Sequence, residues 1–203
     1  GYPERPINLI VPFSPGGGTD ISARLLAAAL GDKLASSVVV DNRPGAGGQI
    51  AADLVARSPA DGYTLLFANS GMLAINPWIY KLHSDPATAF APVSLFSDLP
   101  FVLVVPTGLP AKNVAELVTL ARAEPGKHKF ASSGTGGAPH LSAEIFQQAT
   151  GVDLMHVPYK GGGPAMTDLM AGRVDMLFAS VLETMPYVTG GKLRALAVTG
   201  AAR

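Results

Sequence analysis

Short apolar runs, each followed by a turn- or glycine-rich stretch and often by a segment of helical period, recur along this chain. The runs Ile7–Val11, Val38–Val40, Tyr63–Ala68, Phe101–Val105, His128–Ser132, Val152–Val157, Val174–Ala179 and Leu193–Val198 predict strands, the first of them buried. Ile21, Leu25 and Leu26 set a helical period from Ile21 to Leu34, and Leu117, Val118 and Ala121 set another from Val114 to Arg122. Further helices are predicted over 49–57, from near Pro139, and over 164–171. Strands alternating with helices imply parallel β-structure joined by right-handed crossovers. Positions 75–100 hold Pro77, Pro86, Pro92 and Pro100 with weak periodicity, which predicts irregular surface structure leading into a crossover.

The pattern occurs twice. Gly16-Gly17 reappears as Gly136-Gly137, Ile21-Ser22-Ala23 as Leu141-Ser142-Ala143, Leu25-Leu26 as Ile145-Phe146 and Gly31 as Gly151. Val40 to Gly45 has its counterpart in Val157 to Gly161, Asp53-Leu54 in Asp168-Leu169, and Leu66-Phe67-Ala68 in Leu177-Phe178-Ala179. Identities are few, but the order of strand, Gly loop and helix is the same in both halves, which predicts two similar lobes. Lobe 1 is expected over 1–100 and lobe 2 over 101–203.

The first Gly loop carries the candidate chemistry. Pro12 and Pro15 stop the strand, Gly16 to Gly18 follow, and Thr19 or Asp20 is the expected helix N-cap. Glycines let backbone approach a ligand closely, while unpaired N–H groups and the helix dipole favour an anion. The loop lacks the Lys-Ser/Thr pair of a phosphate-binding P-loop. Ile21 stands where a dinucleotide fingerprint needs its last glycine. An anion smaller than a nucleotide, most simply a carboxylate, fits what remains.

Composition narrows the field. The chain has 203 residues, 48% hydrophobic and 15% charged, so a sizeable core is within reach. Zero formal net charge without a Lys/Arg block argues against nucleic acid as a partner. Cysteine is absent, which removes disulfides, thiolate metal sites and Cys nucleophiles. No apolar stretch approaches the length of a membrane span. The opening Gly1-Tyr2-Pro3 implies either a removed targeting segment or a start within a longer sequence.

With PFSPGGGTD, RPGAGG, SSGTGGAPH, VPYKGGG and DMLFAS in this order, the chain resembles the solute-binding proteins of tripartite tricarboxylate transporters, the Bug or TctC family. The resemblance runs over the whole chain. It implies an α/β, two-lobed, type II-like periplasmic-binding-protein architecture with a ligand cleft between the lobes. It also implies periplasmic location, a small carboxylate ligand (a di- or tricarboxylate, an acidic amino acid or an aromatic acid) and delivery to membrane permease subunits. No cofactor, metal or catalytic residue is implied. By position, the first binding loop is Phe13, Ser14, Gly17, Gly18, Thr19 and Asp20, and the loop after the third strand is Ala68, Asn69 and Ser70. The second lobe supplies Ser132, Ser133, Gly134, Thr135, Gly136 and His140, then Tyr159, Lys160 and Gly161, then Ser180. Family members continue past the strand at Leu193–Val198 with a segment that returns to lobe 1, and this sequence departs from them there.

These expectations combine into one mechanism. Two Gly loops, one per lobe, face each other across the cleft and offer backbone N–H groups to a carboxylate, with hydroxyls nearby. Lobe closure about the crossings near residue 100 and beyond 198 is the ligand-linked step. Asp20 reads as an N-cap ahead of a ligand contact, and His140 as a cap-region or cleft-facing residue ahead of a metal ligand. Lys160 reads equally as a partner for an outer carboxylate and as a solvated charge. Trp78 reads as core or cleft rim. Two other functions stand beside the carrier. A ligand sensor acting on a signalling partner would share its binding site. An enzyme built on Ser133 and His140 would lack an orienting acid.

Overall fold

The structure, a computed structural model, describes residues 1–200, so the last residues of the expected second lobe (201–203) lie outside it. Two parallel units of the same design stand in succession. In the first, β1 (Ile7–Val11), α1 (Gly18–Leu34), β2 (Val38–Asn42), α2 (Gln49–Ala56) and β3 (Thr64–Leu66) give a sheet of order β2-β1-β3, parallel throughout. Two short helices follow, α3 (Asn76–Ile79) and α4 (Pro86–Ala89), and residues 90–100 form no regular element.

The second unit adds strands around the same motif. β4 (Phe101–Pro106), α5 (Val114–Ala123), β5 (Lys129–Ser132), α6 (Ala138–Thr150), β6 (Met155–Pro158), α7 (Gly162–Met170), β7 (Met176–Ser180), α8 (Val181–Thr189) and β8 (Leu193–Val198) build a sheet of order β6-β5-β7-β4-β8. Its β6-β5-β7 part is parallel and repeats the order β2-β1-β3. β4 runs antiparallel to both β7 and β8, a reversal that the alternation of strands and helices did not foretell.

Burial follows from pleating. Successive side chains of β4 point to opposite faces, so Leu103 and Val105 enter a core with Phe130, Met176 and Phe178, while Val102 and Val104 enter one with Ala131, Leu177 and Ala179. Leu117 and Ala121 of α5 and Ala143 of α6 cover the first face; Ala165, Met166 and Leu169 of α7 cover the second. A strand covered on both faces reads as an unbroken apolar run, which is why β4 was legible. In the first unit Leu9 and Val11 pack on Ala23 and Ala27 of α1. Of the residues that set the helical period of α1, Leu26 packs beside this core while Leu25 is 55% exposed, and small alanines one turn apart lie deepest at the sheet.

Helix starts also move. α1 begins at Gly18 with Gly17 as N-cap, so neither Thr19 nor Asp20 caps it. α7 begins at Gly162, ahead of Pro164. In both places glycines expected in the loop already form the first turn. α8 was not foreseen, because Pro186 within it reads as a breaker. Trp78 is 87% exposed and belongs to no core.

Candidate functional site

The loops that follow the parallel strands bring the two units together. Ser14 N–H donates to Lys160 O at 2.9 Å, Gly18 N–H to Glu183 Oε2 at 3.1 Å, and Tyr80 Oη to Thr135 O at 3.0 Å. Between these bonds backbone meets backbone. A Cβ at Gly17 would stand 2.9 Å from Gly162 N, and one at Gly71 would stand 3.1 Å from Gly137 Cα. No side chain larger than hydrogen fits at Gly17 with the halves this close.

The pairing differs from the expected one. The first loop (Phe13 to Gly18) meets the segment from Lys160 to Gly163 together with the start of α8. The loop after β5 (Ser133 to Gly137) instead meets Gly71, Asn76 and Ile79, which follow β3. Gly17 and Gly136 therefore belong to one interface but face different partners. The loops after β1 and β5, the central strands of the two parallel motifs, each oppose a later loop of the other unit.

One local device holds both loops. Asp20, third in α1, accepts from Gly16 N–H at 2.9 Å; His140, third in α6, accepts from Gly136 N–H through Nδ1 at 3.1 Å. The two residues occupy equivalent places in the repeat, and each folds its Gly loop back over the helix start. Asp20 is buried and also accepts from Arg24 Nε at 3.0 Å and Asn42 Nδ2 at 2.9 Å. Burial alone would raise its pKa, but the bonds from Arg24, Gly16 and Asn42 hold it below the usual carboxylate value. With every oxygen engaged, Asp20 braces the loop. Because an amide N–H only donates, the neutral His140 ring carries its proton on Nε2, which lies 3.4 Å from Glu144 Oε1.

Beneath the second loop lies a histidine stack. The rings of His140 and His156 are 4.1 Å apart, and His156 lies 4.7 Å from Phe130. His156 Nε2 pairs with Ser132 Oγ at 2.6 Å, and that oxygen accepts from Gly134 N–H at 3.2 Å. Burial, with His140 alongside, lowers the His156 pKa to about 4, so the ring is neutral at ordinary pH. The serine–histidine contact is thus Ser132 with His156, not Ser133 with His140. Ser132 is fully buried and serves the loop, out of reach of a substrate.

Other predicted residues divide between loop surface and scaffold. Thr135 and Ser70 are exposed, and Ser14, Gly18, Thr19, Ala68, Ser133 and Gly134 are half-buried. Phe13 is buried; its carbonyl accepts from Asn42 Nδ2 and its Cβ abuts Gly161. Asn69 Oδ1 accepts from Met72 N–H at 2.9 Å and starts the turn after β3. Tyr159 turns away from the contact: its hydroxyl donates to Asp168 at 2.7 Å, and its ring packs on the α7 core. Burial and Asp168 push its pKa up to about 12. The Lys160 side chain is exposed, and its carbonyl makes the bond to Ser14. Among the described residues no three His, Asp or Glu side chains gather as metal ligands.

Glu183 was missed. It sits 6% exposed at the third position of α8, and burial raises its pKa to about 7 against the pull of the Gly18 and Ser180 amides. The sequence did hold a signal. Ser180-Val181-Leu182-Glu183 is a capping-box pattern, which marks a helix start despite Pro186.

Comparison with known proteins places this arrangement. BugT of Bordetella pertussis is 44% identical over 212 residues, covering 100% of this chain and 63% of BugT. The chain thus spans less than two thirds of that relative's length. The structure of Rpa4515 of R. palustris with adipate matches with a TM-score of 0.97 and 42% identity, covering 100% of this chain and 68% of that one. MatC of Rhodopseudomonas palustris with bound malate matches with a TM-score of 0.89 and 29% identity, covering 100% and 69%. The fold is that of these binding proteins. A family model described as the tripartite tricarboxylate transporter family receptor matches residues 22–203, and the chain belongs to that family.

Proposed function

We propose that the chain forms the ligand-capturing part of an extracytoplasmic solute-binding protein, which takes a small carboxylate between its two units and delivers it to a membrane permease. The units act as lobes over 1–100 and 101–203. The observation that carries this reading is the convergence of glycine loops and helix N-termini from both units on one contact, where backbone amides supply a directed, positive lining. The adipate and malate of the two structural relatives are ligands of that chemistry. Phe13, Ser14, Gly17, Gly18 and Thr19 meet the ligand from lobe 1 with Ala68, Asn69 and Ser70. Ser133 to Gly136, Lys160, Gly161 and Ser180 meet it from lobe 2. Asp20, Ser132, His140 and Tyr159 hold those loops in shape.

The contact suits opening and closing. The neutral cross-lobe hydrogen bonds contribute only ~0.5–1.5 kcal/mol net each and the one to Glu183 ~1.5–3, and among the described residues no large apolar cluster spans the gap. The lobes part at small cost while each keeps its own core. Phe101 and Thr199 exchange hydrogen bonds of 2.9 Å where β4 begins and β8 ends, so the expected hinge positions lie side by side. Isothermal titration with a panel that includes adipate and malate tests the reading. Saturable one-to-one binding is expected, and silence across all di- and tricarboxylates would refute it.

A further inference from the structure

Glu183 has no place in a list of loop amides and hydroxyls. Its Oε2 takes the N–H of Gly18, first residue of α1 in the other lobe, at 3.1 Å. Its Oε1 makes no hydrogen bond and rests against Gly162, first residue of α7, where an added Cβ would fall 2.0 Å away. Ser180 Oγ is also buried without a partner and abuts Gly18, whose added Cβ would fall 2.2 Å from it. Only half of the capping box remains: the Ser180 hydroxyl makes no cap bond, while the glutamate stays near the Ser180 amide and also reaches across to the opposite lobe. Helix α1 has 17 residues and α7 has 9, and both present their positive N-terminal ends to this one carboxylate. Burying it is costly, as its raised pKa shows, and that cost serves no core.

We infer that Glu183 is a built-in occupant of the anion position between the lobes, and that a ligand's carboxylate takes the Gly18 amide by displacing it. The inference rests on the carboxylate-carrier reading of the same cleft. Opening the lobes parts Gly18 from Glu183 and frees the amide; an incoming carboxylate claims it before closure. A tethered group competes at high effective concentration. A monocarboxylate has nothing else with which to win. An acid with a second carboxylate reaching the loop at Ser133 to Gly137 does. Glu183 thus selects di- and tricarboxylates over monocarboxylates.

The test compares wild type, Glu183→Ala and Glu183→Gln at pH 8. Titration with adipate and malate is expected to show tighter binding by E183A, by about tenfold or more, with E183Q in between. Acetate is expected to raise the Tm of E183A while leaving wild type unmoved, because it refills the vacated position. Dicarboxylate affinity that is unchanged or weaker in both variants overturns the inference, as does equal stabilisation of wild type and E183A by acetate. Should E183A not fold, E183Q decides alone by the same affinity criterion. If no form binds any dicarboxylate yet acetate rescues E183A alone, the built-in occupant stands and the carrier reading falls.

Discussion

Replacing Asp20 by alanine separates a loop brace from a ligand contact. The substitution removes the acceptor of Gly16 N–H, Arg24 Nε and Asn42 Nδ2. A hydrogen bond to a charged group contributes ~1.5–3 kcal/mol net, but not every donor here loses that much. Gly16 is exposed and the Arg24 side chain is 52% exposed, so water replaces the carboxylate for both. Asn42 is half-buried, and losing the desolvated carboxylate itself returns part of its burial cost. The net expectation for D20A is a loss of ~2–3 kcal/mol, and for Asp20→Asn, which keeps one acceptor, roughly half of that. Urea unfolding at pH 7 measures it, with an unchanged m-value as the check that only stability moved. The pH dependence has a definite sign. Asp20 is held below its unfolded pKa of ~3.9, so its contribution is present above that value and is lost as pH falls through the folded one. Wild type and D20A should converge in acid. A D20A protein as stable as wild type that no longer binds carboxylates would refute the brace and restore the ligand contact.

Three further substitutions probe the same contact. Gly17 has φ −86°, which alanine adopts freely, but a Cβ there meets Gly162 N at 2.9 Å; Gly17→Ala should therefore leave each lobe stable while blocking closure, seen as a larger radius of gyration by X-ray scattering and weaker carboxylate binding. His156 is held neutral with a pKa of about 4 against 6.5 when unfolded, so the unfolded chain binds more protons in that window; wild-type stability should decline as pH drops from 6.5 towards 4, and His156→Asn should flatten the curve measured by thermal unfolding. Tyr159→Phe deletes the 2.7 Å bond to Asp168 and should cost ~1 kcal/mol in urea unfolding, with carboxylate affinity unchanged because the hydroxyl points into the scaffold.

The parts of the fold legible in the sequence were those whose physics is local. β4 announced itself as an unbroken apolar run because both of its faces are covered, and β8 spans Leu193–Val198 as read. The repeated succession of strand, Gly loop and helix was legible because equivalent glycines recur at nearly fixed offsets; the shared sheet order, β2-β1-β3 and β6-β5-β7, came only with the structure. What failed depended on partners far along the chain. Leu25 shared the helical period yet is exposed, while Ala23 and Ala27 are buried at the sheet with Leu26 packed beside them. The two Gly loops were expected to face each other, whereas the packing of the units sets Gly17 against Gly162 and Gly136 against Ile79 and Asn76. α8 was hidden by Pro186, although the Ser180 and Glu183 spacing marked its start.

The choice of glycine at the contact follows from how helix dipoles behave there. A side chain at Gly17 would keep α1 and α7 apart, and side chains at Gly18 and Gly162 would strike Ser180 and Glu183; without them two positive helix ends meet almost backbone to backbone. Like ends repel, so a closed arrangement needs negative charge between them. In this structure Glu183 supplies it, and a bound acid would supply it in the loaded protein. On the proposed reading, closure is then not an event that follows capture but the same equilibrium seen from the lobes. Whichever carboxylate lies between α1 and α7 shifts the population towards the closed form by its differential affinity for that form, and by nothing else. A ligand that merely matched Glu183 would leave the closed population unchanged. On the proposed reading, ligand-driven closure therefore depends on how far a second carboxylate, engaging the loop at Ser133 to Gly137, carries the ligand's affinity beyond that of the tethered one.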